Sequence, residues 1–385
     1  MKIIHTADWH IGKLVNAVHM TDDQAVVLEQ LCEMIREHRP DAVVIAGDLY
    51  DRSVPPVEAV ELLDRTLHTI VHDLGTPVIA LAGNHDSSER LGFASALLSE
   101  RGLHMSGILA REIKPVVISD THGPVHVYPI PYADTPVVRA LYDDESIKTA
   151  DEAMRRILSS ITSRMEAGVR SVAVAHGYVV RNGELPETSE SERPLSMGGT
   201  ESIDASLFEP FTYTALGHLH SPQRAGYDRV RYAGSLLKYS FSEVRQKKGV
   251  TVVDISADGS VETSFLEFRP RRDMRIIEGE LSELISPKTV SSGNAEDYVY
   301  AVLTDKGELL DPMARLRSVY PNVLGMEREA RAAGAGSSAS AGFRGRTAIG
   351  LFEDFAAAMT GEACSAEFIE GMKPIIEAAE KGDEQ

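Results

Sequence analysis

The chain has 385 residues, a formal net charge of -19 and two cysteines, Cys32 and Cys364, far apart in sequence. At roughly 100–200 residues per domain, the length calls for two or three domains. The cysteine count excludes a disulfide framework or a thiolate metal site and suits a reducing compartment. The charge excludes free, non-specific attraction to nucleic acid, because phosphates are neutralised by Lys and Arg. No apolar run approaches the roughly 18 residues of a membrane span. Met1–His5 leads straight into strand-like sequence, so a cytoplasmic protein with no membrane contact is expected.

The first strand is Lys2–Thr6, followed by the loop Ala7-Asp8-Trp9-His10-Ile11-Gly12. Apolar residues at Val26, Val27, Leu31, Met34 and Ile35 predict a helix over Asp22–Glu37, ended by Pro40. Asp41–Ala46 is the second strand, a short apolar run of the kind buried in a parallel sheet, and it stops at Gly47-Asp48. Pro55 and Pro56 open a second helix with Val57, Val60, Leu63, Leu67, Ile70 and Val71 as its apolar stripe. Strand Val78–Ala82 then runs into Gly83-Asn84-His85-Asp86. This β-α-β-α-β order marks a layered α/β domain.

Further on, a helix is expected over Arg90–Ser99, strands between Pro115 and Pro131, and a helix near Asp151–Glu166. Strand Ser171–Ala175 ends at His176-Gly177, and strand Thr212–Leu216 ends at Gly217-His218-Leu219-His220. Asn182–Thr200, rich in Glu, Ser, Pro and Gly, reads as a long surface loop. Val250–Ile255 and Val261–Phe268 form a hairpin around Asp258-Gly259. After Arg272 a small α+β module follows, with strands Met274–Glu280, Tyr298–Leu303 and Asn322–Met326 and a helix Pro312–Val319. Ala332–Gly345 is a linker by composition. Beyond it, two helical segments carry Phe352, Phe355 and Met359, then Phe368, Ile369, Met372, Ile375 and Ile376; Pro374 should kink the second.

Five strands thus end on potential ligands: Asp8 and His10, Asp48, Asn84 and His85, His176, and His218 with His220. One such strand end is usually a loop residue or a cap. Five are expected to be the ends of one parallel-type sheet layer, all opening into the same crevice. Asp8, His10, Asp48, Asn84, His176, His218 and His220 make seven ligands; if Asp48 bridges, two ions receive four bonds each. Two cations ~3.5–4 Å apart stabilise both the attacking and the leaving oxygen of a phosphoryl displacement. Four imidazoles disfavour Mg²⁺ and Ca²⁺ and suit Mn²⁺, Fe²⁺ or Zn²⁺. His85, beside Asn84, is placed to protonate the leaving oxygen. Asp51 either orients His85 or caps the start of the next helix, and the sequence leaves the two readings open.

In order and spacing, Asp8-x-His10, Gly47-Asp48-x-x-Asp51, Gly83-Asn84-His85-Asp86, His176-Gly177 and Gly217-His218-x-His220 resemble the motif set of calcineurin-like metallophosphoesterases. Fuller strings narrow the resemblance to the family of bacterial SbcD exonuclease subunits. They are His5 to Gly12, Gly47 to Pro56, Ala215 to His220, Tyr232-Ala233-Gly234-Ser235 and Tyr239-Ser240-Phe241-Ser242-Glu243. The resemblance covers residues 1–270 well and the rest only in layout. It implies an α-β-β-α core over residues 1–270, a capping domain over 273–330, a linker over 331–346 and C-terminal helices over 347–381.

For function, the resemblance implies a Mn²⁺-dependent DNA nuclease, exonucleolytic on duplex ends and endonucleolytic on single strands and hairpins. One metal would take Asp8, His10, Asp48 and His220, the other Asp48, Asn84, His176 and His218, with His85 as the catalytic histidine. It also implies a homodimer within a heterotetramer, with an SbcC-type, SMC-like ATPase as partner. Helices in 57–71 and 90–99 are candidate dimer faces, and Phe352, Phe355, Phe368 and Met372 are candidate partner contacts. Relatives from archaea and eukaryotes carry a further histidine after the bridging aspartate; here Asp51-Arg52 stands instead, and no second histidine role is carried over. Two alternatives are a phosphomonoesterase or protein phosphatase on the same site, and a non-catalytic assembly subunit, against which the intact ligand set argues.

Overall fold

The computed structural model describes residues 1–181, 184, 186–192, 201–328, 352, 368, 369, 371 and 372. Met1–Arg328 form one compact unit, and residues 329–385 group as a second.

Two six-stranded sheets build the first unit. In one, Lys2–Thr6, Ala42–Ile45, Val78–Leu81 and Leu103–Ser106 run parallel, and the hairpin Gly249–Ile255 and Val261–Glu267 joins Lys2–Thr6 antiparallel. In the other, Gly123–Ile130, Arg170–His176, Tyr213–Gly217 and Tyr227–Tyr232 run parallel, flanked by antiparallel Val116–Asp120 and Gln223–Ala225. The sheets pack face to face. Ile3, Val44, Ala46, Ile79 and Leu81 of the first meet Val125, Val127, Val172, Val174 and Ala215 of the second.

Because side chains alternate along a strand, Val43 and Ile45 face the other way from Val44 and Ala46. There they meet a helical layer with Val27, Leu28, Leu31 and Ile35 of helix Thr21–His38 and Leu62, Leu63 and Leu67 of helix Val57–His68. On the far side of the second sheet, Tyr128, Ile130, Ala173 and Ala175 pack on helices Thr135–Tyr142 and Ala150–Thr162. The result is the expected α-β-β-α stack. Helix Thr21–His38 carries Asp22 and Asp23 in its first turn and Arg36 and His38 in its last, complementing its dipole. It stops at Arg39, whose backbone is left-handed (φ 46°) ahead of Pro40.

Met274–Gly279, Tyr298–Leu303 and Val323–Arg328 form a parallel three-stranded sheet with its own apolar cluster. Met274 and Tyr298 also reach the large cluster under helix Thr21–His38. There the Tyr298 hydroxyl donates to the buried Asp23 at 2.5 Å, and Arg272 lies 3.2 Å from the same carboxylate.

Two expectations need correction. The ligand-bearing strands come from two sheets rather than one: three from the first, two from the second. The predicted helix Arg90–Ser99 is two short turns, Ser88–Leu91 and Ser95–Ser99, broken at Gly92 to Ala94, where Ala94 takes a left-handed φ of 57°. Val57 and Val60, two members of the apolar stripe on a helix read as a candidate dimer face, are 69% and 43% exposed, and the buried face is Ala59, Leu62, Leu63 and Leu67. Among the described residues no helix is long and apolar enough to cross a membrane.

Candidate metal centre

The crevice lies where the carboxyl ends of both sheets meet. The loop after Lys2–Thr6 is laddered to the loop after Ala42–Ile45: Asp8 donates its N–H to Gly47 O (3.1 Å), His10 to Asp48 O (2.9 Å) and Ile11 to Leu49 O (3.0 Å). Two bonds tie the second sheet to these loops. The His218 N–H donates to the Asp8 carboxylate at 2.9 Å, and His176 Nδ1 donates to Ala46 O at 2.8 Å.

Such close approach constrains the backbone. Asp8 (φ 51°), His10 (φ 45°), Asp48 (φ 50°) and His218 (φ 109°) all hold positive φ, a conformation that costs energy in a non-glycine residue and persists where surroundings impose it. A Cβ at Gly83 would overlap the Asp48 carboxylate, so only glycine admits that carboxylate beside the third strand end.

Within this frame all seven predicted ligands converge. Asp8, His10, Asp48, His176, His218 and His220 are buried, and Asn84 is half-buried. Asp48 Oδ1 accepts the His85 N–H at 2.9 Å. Its Oδ2 stands 3.4 Å from His176 Nε2 and 3.6 Å from His10 Nε2, between two sets of donors. On one side, His10 Nε2 faces His220 Nε2 at 3.1 Å, and Asp8 joins His10 and Asp48 in one group. On the other, Asn84 Oδ1 lies 2.9 Å from His176 Nε2 and 3.3 Å from His218 Nδ1.

Three observations make this donor set fit divalent cations. Ligand atoms about 2.1 Å from one ion, at angles between square and tetrahedral, stand about 3.0–3.4 Å apart, close to the 2.9–3.6 Å of these pairs. Burial holds His10 and His220 below the ordinary histidine range and His218 down at about 3, so these rings are neutral, the form that binds metal. Burial also pushes Asp8 well above the usual carboxylate range against the pull of His176, with the Asp48 charge adding to the rise. A divalent charge would relieve that conflict.

In the protein alone, burial works against a charged Asp48–His176 pair, but their mutual attraction wins. Asp48 stays well below its ordinary range and His176 is pushed up to about 9.

His85 is half-buried, its ring edge-on to His10 with centroids 4.7 Å apart. Its Nδ1 donates to the main-chain carbonyl of Asp51 at 2.8 Å, which sets the tautomer and leaves Nε2 as the free ring nitrogen of that contact. Asp51 therefore reaches His85 through its backbone, while its carboxylate pairs with Lys13 at 2.7 Å and lies 3.6 Å from His10 Nδ1. The helix at Val57–His68 begins after Pro56 with no side-chain cap, so Asp51 does not cap it either.

Several supporting residues had no role in the sequence reading. Asp86 accepts N–H bonds from Leu49, Tyr50 and Gly83, lacing two strand ends together; burial and the Asp48 charge push it up to about 7. Gln24 binds the carbonyls of Trp9 and His10 and the Gly12 N–H, clamping the first loop. A polar residue on the apolar side of a helix, one turn before Val27 and Leu28, was the available signal. Glu243, the last residue of the Tyr239–Glu243 string, forms a buried ion pair with Lys248 at 2.6 Å behind His220, a pairing with no local signal in the sequence. Trp9 packs under the loop with its indole N–H on Thr6.

In the second unit, the Phe352 and Phe368 rings stack with centroids 6.1 Å apart, Phe368 is half exposed and Met372 is partly buried. Phe355 lies outside the described residues.

Residues 1–112 match the family model of the calcineurin-like phosphoesterases, and residues 270–360 match that of the type 5 capsule protein repressor C-terminal domain. The SbcD subunit of the SbcCD nuclease of Staphylococcus epidermidis is 35% identical over 326 residues, 85% of this chain and 85% of that protein. The chain belongs to the SbcD family of nuclease subunits. Two solved structures are also similar. TT1561 of Thermus thermophilus has a TM-score of 0.41 at 14% identity, over 69% of this chain and 98% of its own. A dimetal phosphatase from Danio rerio has a TM-score of 0.38 at 12% identity, over 66% of this chain and 92% of its own. This member of the SbcD family thus joins the phosphoesterase motifs of residues 1–112 to a distinct C-terminal region in one chain.

Proposed function

We propose that this chain is the nuclease subunit of a DNA end-processing enzyme that hydrolyses phosphodiester bonds with two divalent cations, Mn²⁺ in the first place. It trims duplex ends in the 3′-to-5′ direction and cuts single strands and hairpins, in the cytoplasm, together with an SbcC-type, SMC-like ATPase. The observation that carries this reading is the Asp48 carboxylate standing between two donor groups, in a member of the SbcD family.

Asp8, His10, Asp48 and His220 would hold one cation, and Asp48, Asn84, His176 and His218 the other. When bound, the pair supplies Lewis-acid activation and charge stabilisation along the line of displacement. The chain's own residues do the rest. Asp48 fixes the spacing of the two halves. His85, held by the Asp51 carbonyl, presents Nε2–H to the departing oxygen and returns to the neutral Nδ1–H tautomer after giving up its proton. The Lys13–Asp51 ion pair lies behind His10, with the Asp51 carboxylate 3.6 Å from His10 Nδ1.

With a net charge of -19, the chain relies on the cations and on its ATPase partner for much of its hold on DNA. A homodimer within a heterotetramer would cover exposed apolar side chains such as Val57, Val60, Phe93 and Leu97. Residues 273–330 would act as a cap over DNA. The segment 347–381, after a linker at 331–346, would dock on the ATPase through Phe352, Phe355, Phe368 and Met372.

The purified chain with Mn²⁺, with and without the ATPase, should degrade end-labelled duplex and open hairpin DNA while acting poorly on a small phosphomonoester. The reading is overturned if DNA survives both conditions while the phosphomonoester is hydrolysed rapidly.

A further inference from the structure

His176 and His220 each turn Nε2 toward the cluster and leave Nδ1 to be held from behind, and the backing differs between the two. His176 is backed by a main-chain atom, Ala46 O, at a strand end inside the fold. His220 is backed by side chains from outside the two sheets: its Nδ1 lies 2.7 Å from Ser191 Oγ and 3.4 Å from Glu243 Oε1. Ser191 in turn hydrogen-bonds Glu243, which is fully buried and neutralised by Lys248. Since His220 Nε2 faces His10 Nε2 and must keep its lone pair for a cation, the ring proton belongs on Nδ1, and Ser191 accepts it.

Four other residues of the same short stretch also grip His220 and its neighbours. Glu192 accepts the His220 N–H at 2.7 Å. Ser189 Oγ donates to Glu243 at 3.1 Å, and the Glu190 N–H donates to Ser242 Oγ at 3.1 Å. Glu187 accepts from Ser221 Oγ at 3.1 Å and from Gln246 at 3.0 Å. Every one of these contacts is polar, so the stretch is held by directional bonds rather than by a buried apolar face.

We propose that residues 187–192 are a detachable back wall for the His10–His220 half of the centre, with Ser191 and Glu192 as positioning residues for His220. The inference rests on the two-cation reading above and adds regulation to it: the half built on His220 is competent only while this stretch is docked, whereas the half built on His176 is independent of it. Lifting residues 187–192 would then release one cation and leave the other in place.

The test is Mn²⁺ titration of the metal-free full chain, by calorimetry and electron paramagnetic resonance. Wild type should take two ions. Ser191→Ala should bind one of them about 10–100-fold more weakly, the usual scale for losing such a backing contact, and the other unchanged. Ser191→Thr, which keeps the hydroxyl, should restore the lost affinity. Glu192→Ala should shift the same ion in the same direction. Metal-free Ser191→Ala should still unfold in a single cooperative thermal transition, which shows that the variant is folded. The proposal is overturned if Ser191→Ala binds both ions as wild type does, if it weakens both equally, or if Thr fails to rescue. Should wild type itself bind fewer than two ions, the two-cation reading falls first and this proposal with it.

Discussion

Asp48 receives the main-chain N–H of His85 on Oδ1 at 2.9 Å, so one carboxylate oxygen is spoken for by the loop and the other, Oδ2, is left to the ring nitrogens. That division predicts unequal consequences for two neighbouring ligands. Asp48→Asn should lower Mn²⁺ affinity at both positions, because an amide cannot serve two cations. His10→Ala should lower it mainly at one. Ion stoichiometry after dialysis, read by atomic emission, separates them, and equal metal loss in the two variants would count against the bridge.

A pH dependence follows from His176. Its pKa in the folded chain, pushed up to about 9 from 6.5, means the metal-free protein keeps a proton there that is fully bound below about pH 6.5 and lost as pH rises through about 9. In metal-free protein that proton contributes stability at low pH, and the contribution fades on the way to pH 9. A cation needs the neutral ring and must displace the proton, so Mn²⁺ affinity should rise with pH across this window and binding at pH 7 should release protons. Calorimetry in buffers of different ionisation enthalpy measures the release. An affinity flat from pH 6.5 to 9 would contradict the assignment.

Gly83 is where the third strand end passes the Asp48 carboxylate without room for a methyl group. Gly83→Ala should displace Asp48 and cut DNA hydrolysis by about 100-fold, the usual effect of shifting a catalytic group by an ångström. Single-turnover cleavage at saturating Mn²⁺ is the measurement.

Away from the centre, Tyr298 and Arg272 satisfy the buried Asp23 and join the three-stranded sheet to helix Thr21–His38. Tyr298→Phe removes one donor from a buried carboxylate and should cost about 1–3 kcal/mol in urea denaturation, with Mn²⁺ affinity unchanged. An unaltered denaturation midpoint would show that Arg272 alone suffices.

The strand ends were legible in the sequence because they are local: a short apolar run, a glycine and a carboxylate or imidazole sit within a few residues. Sheet membership was not local. Nothing near Ala175 or Leu216 says that these strands pair with each other rather than with Ile45, and so one sheet was read where two converge. Helical periodicity showed that Val57 and Val60 share an apolar face but not that the fold leaves them uncovered. The backing of the ligands was the least legible part. Asp51 meets Lys13 across 38 positions, and Ser191 meets Glu243 across 52, within a stretch whose composition reads as solvent-exposed loop. Outer contacts of this kind depend on the finished fold, whereas the ligands themselves carry a signature at each strand end.

The central claim is that a two-cation centre and His85 together hydrolyse DNA. Its most direct test is cleavage of an end-labelled duplex by wild type and His85→Ala at matched, measured Mn²⁺ occupancy. The account predicts two ions in both proteins and a cleavage rate about 10²–10⁴-fold lower in His85→Ala, the range for losing a general acid. Cleavage by His85→Ala at the wild-type rate, or no cleavage by wild type with both ions bound, would contradict it.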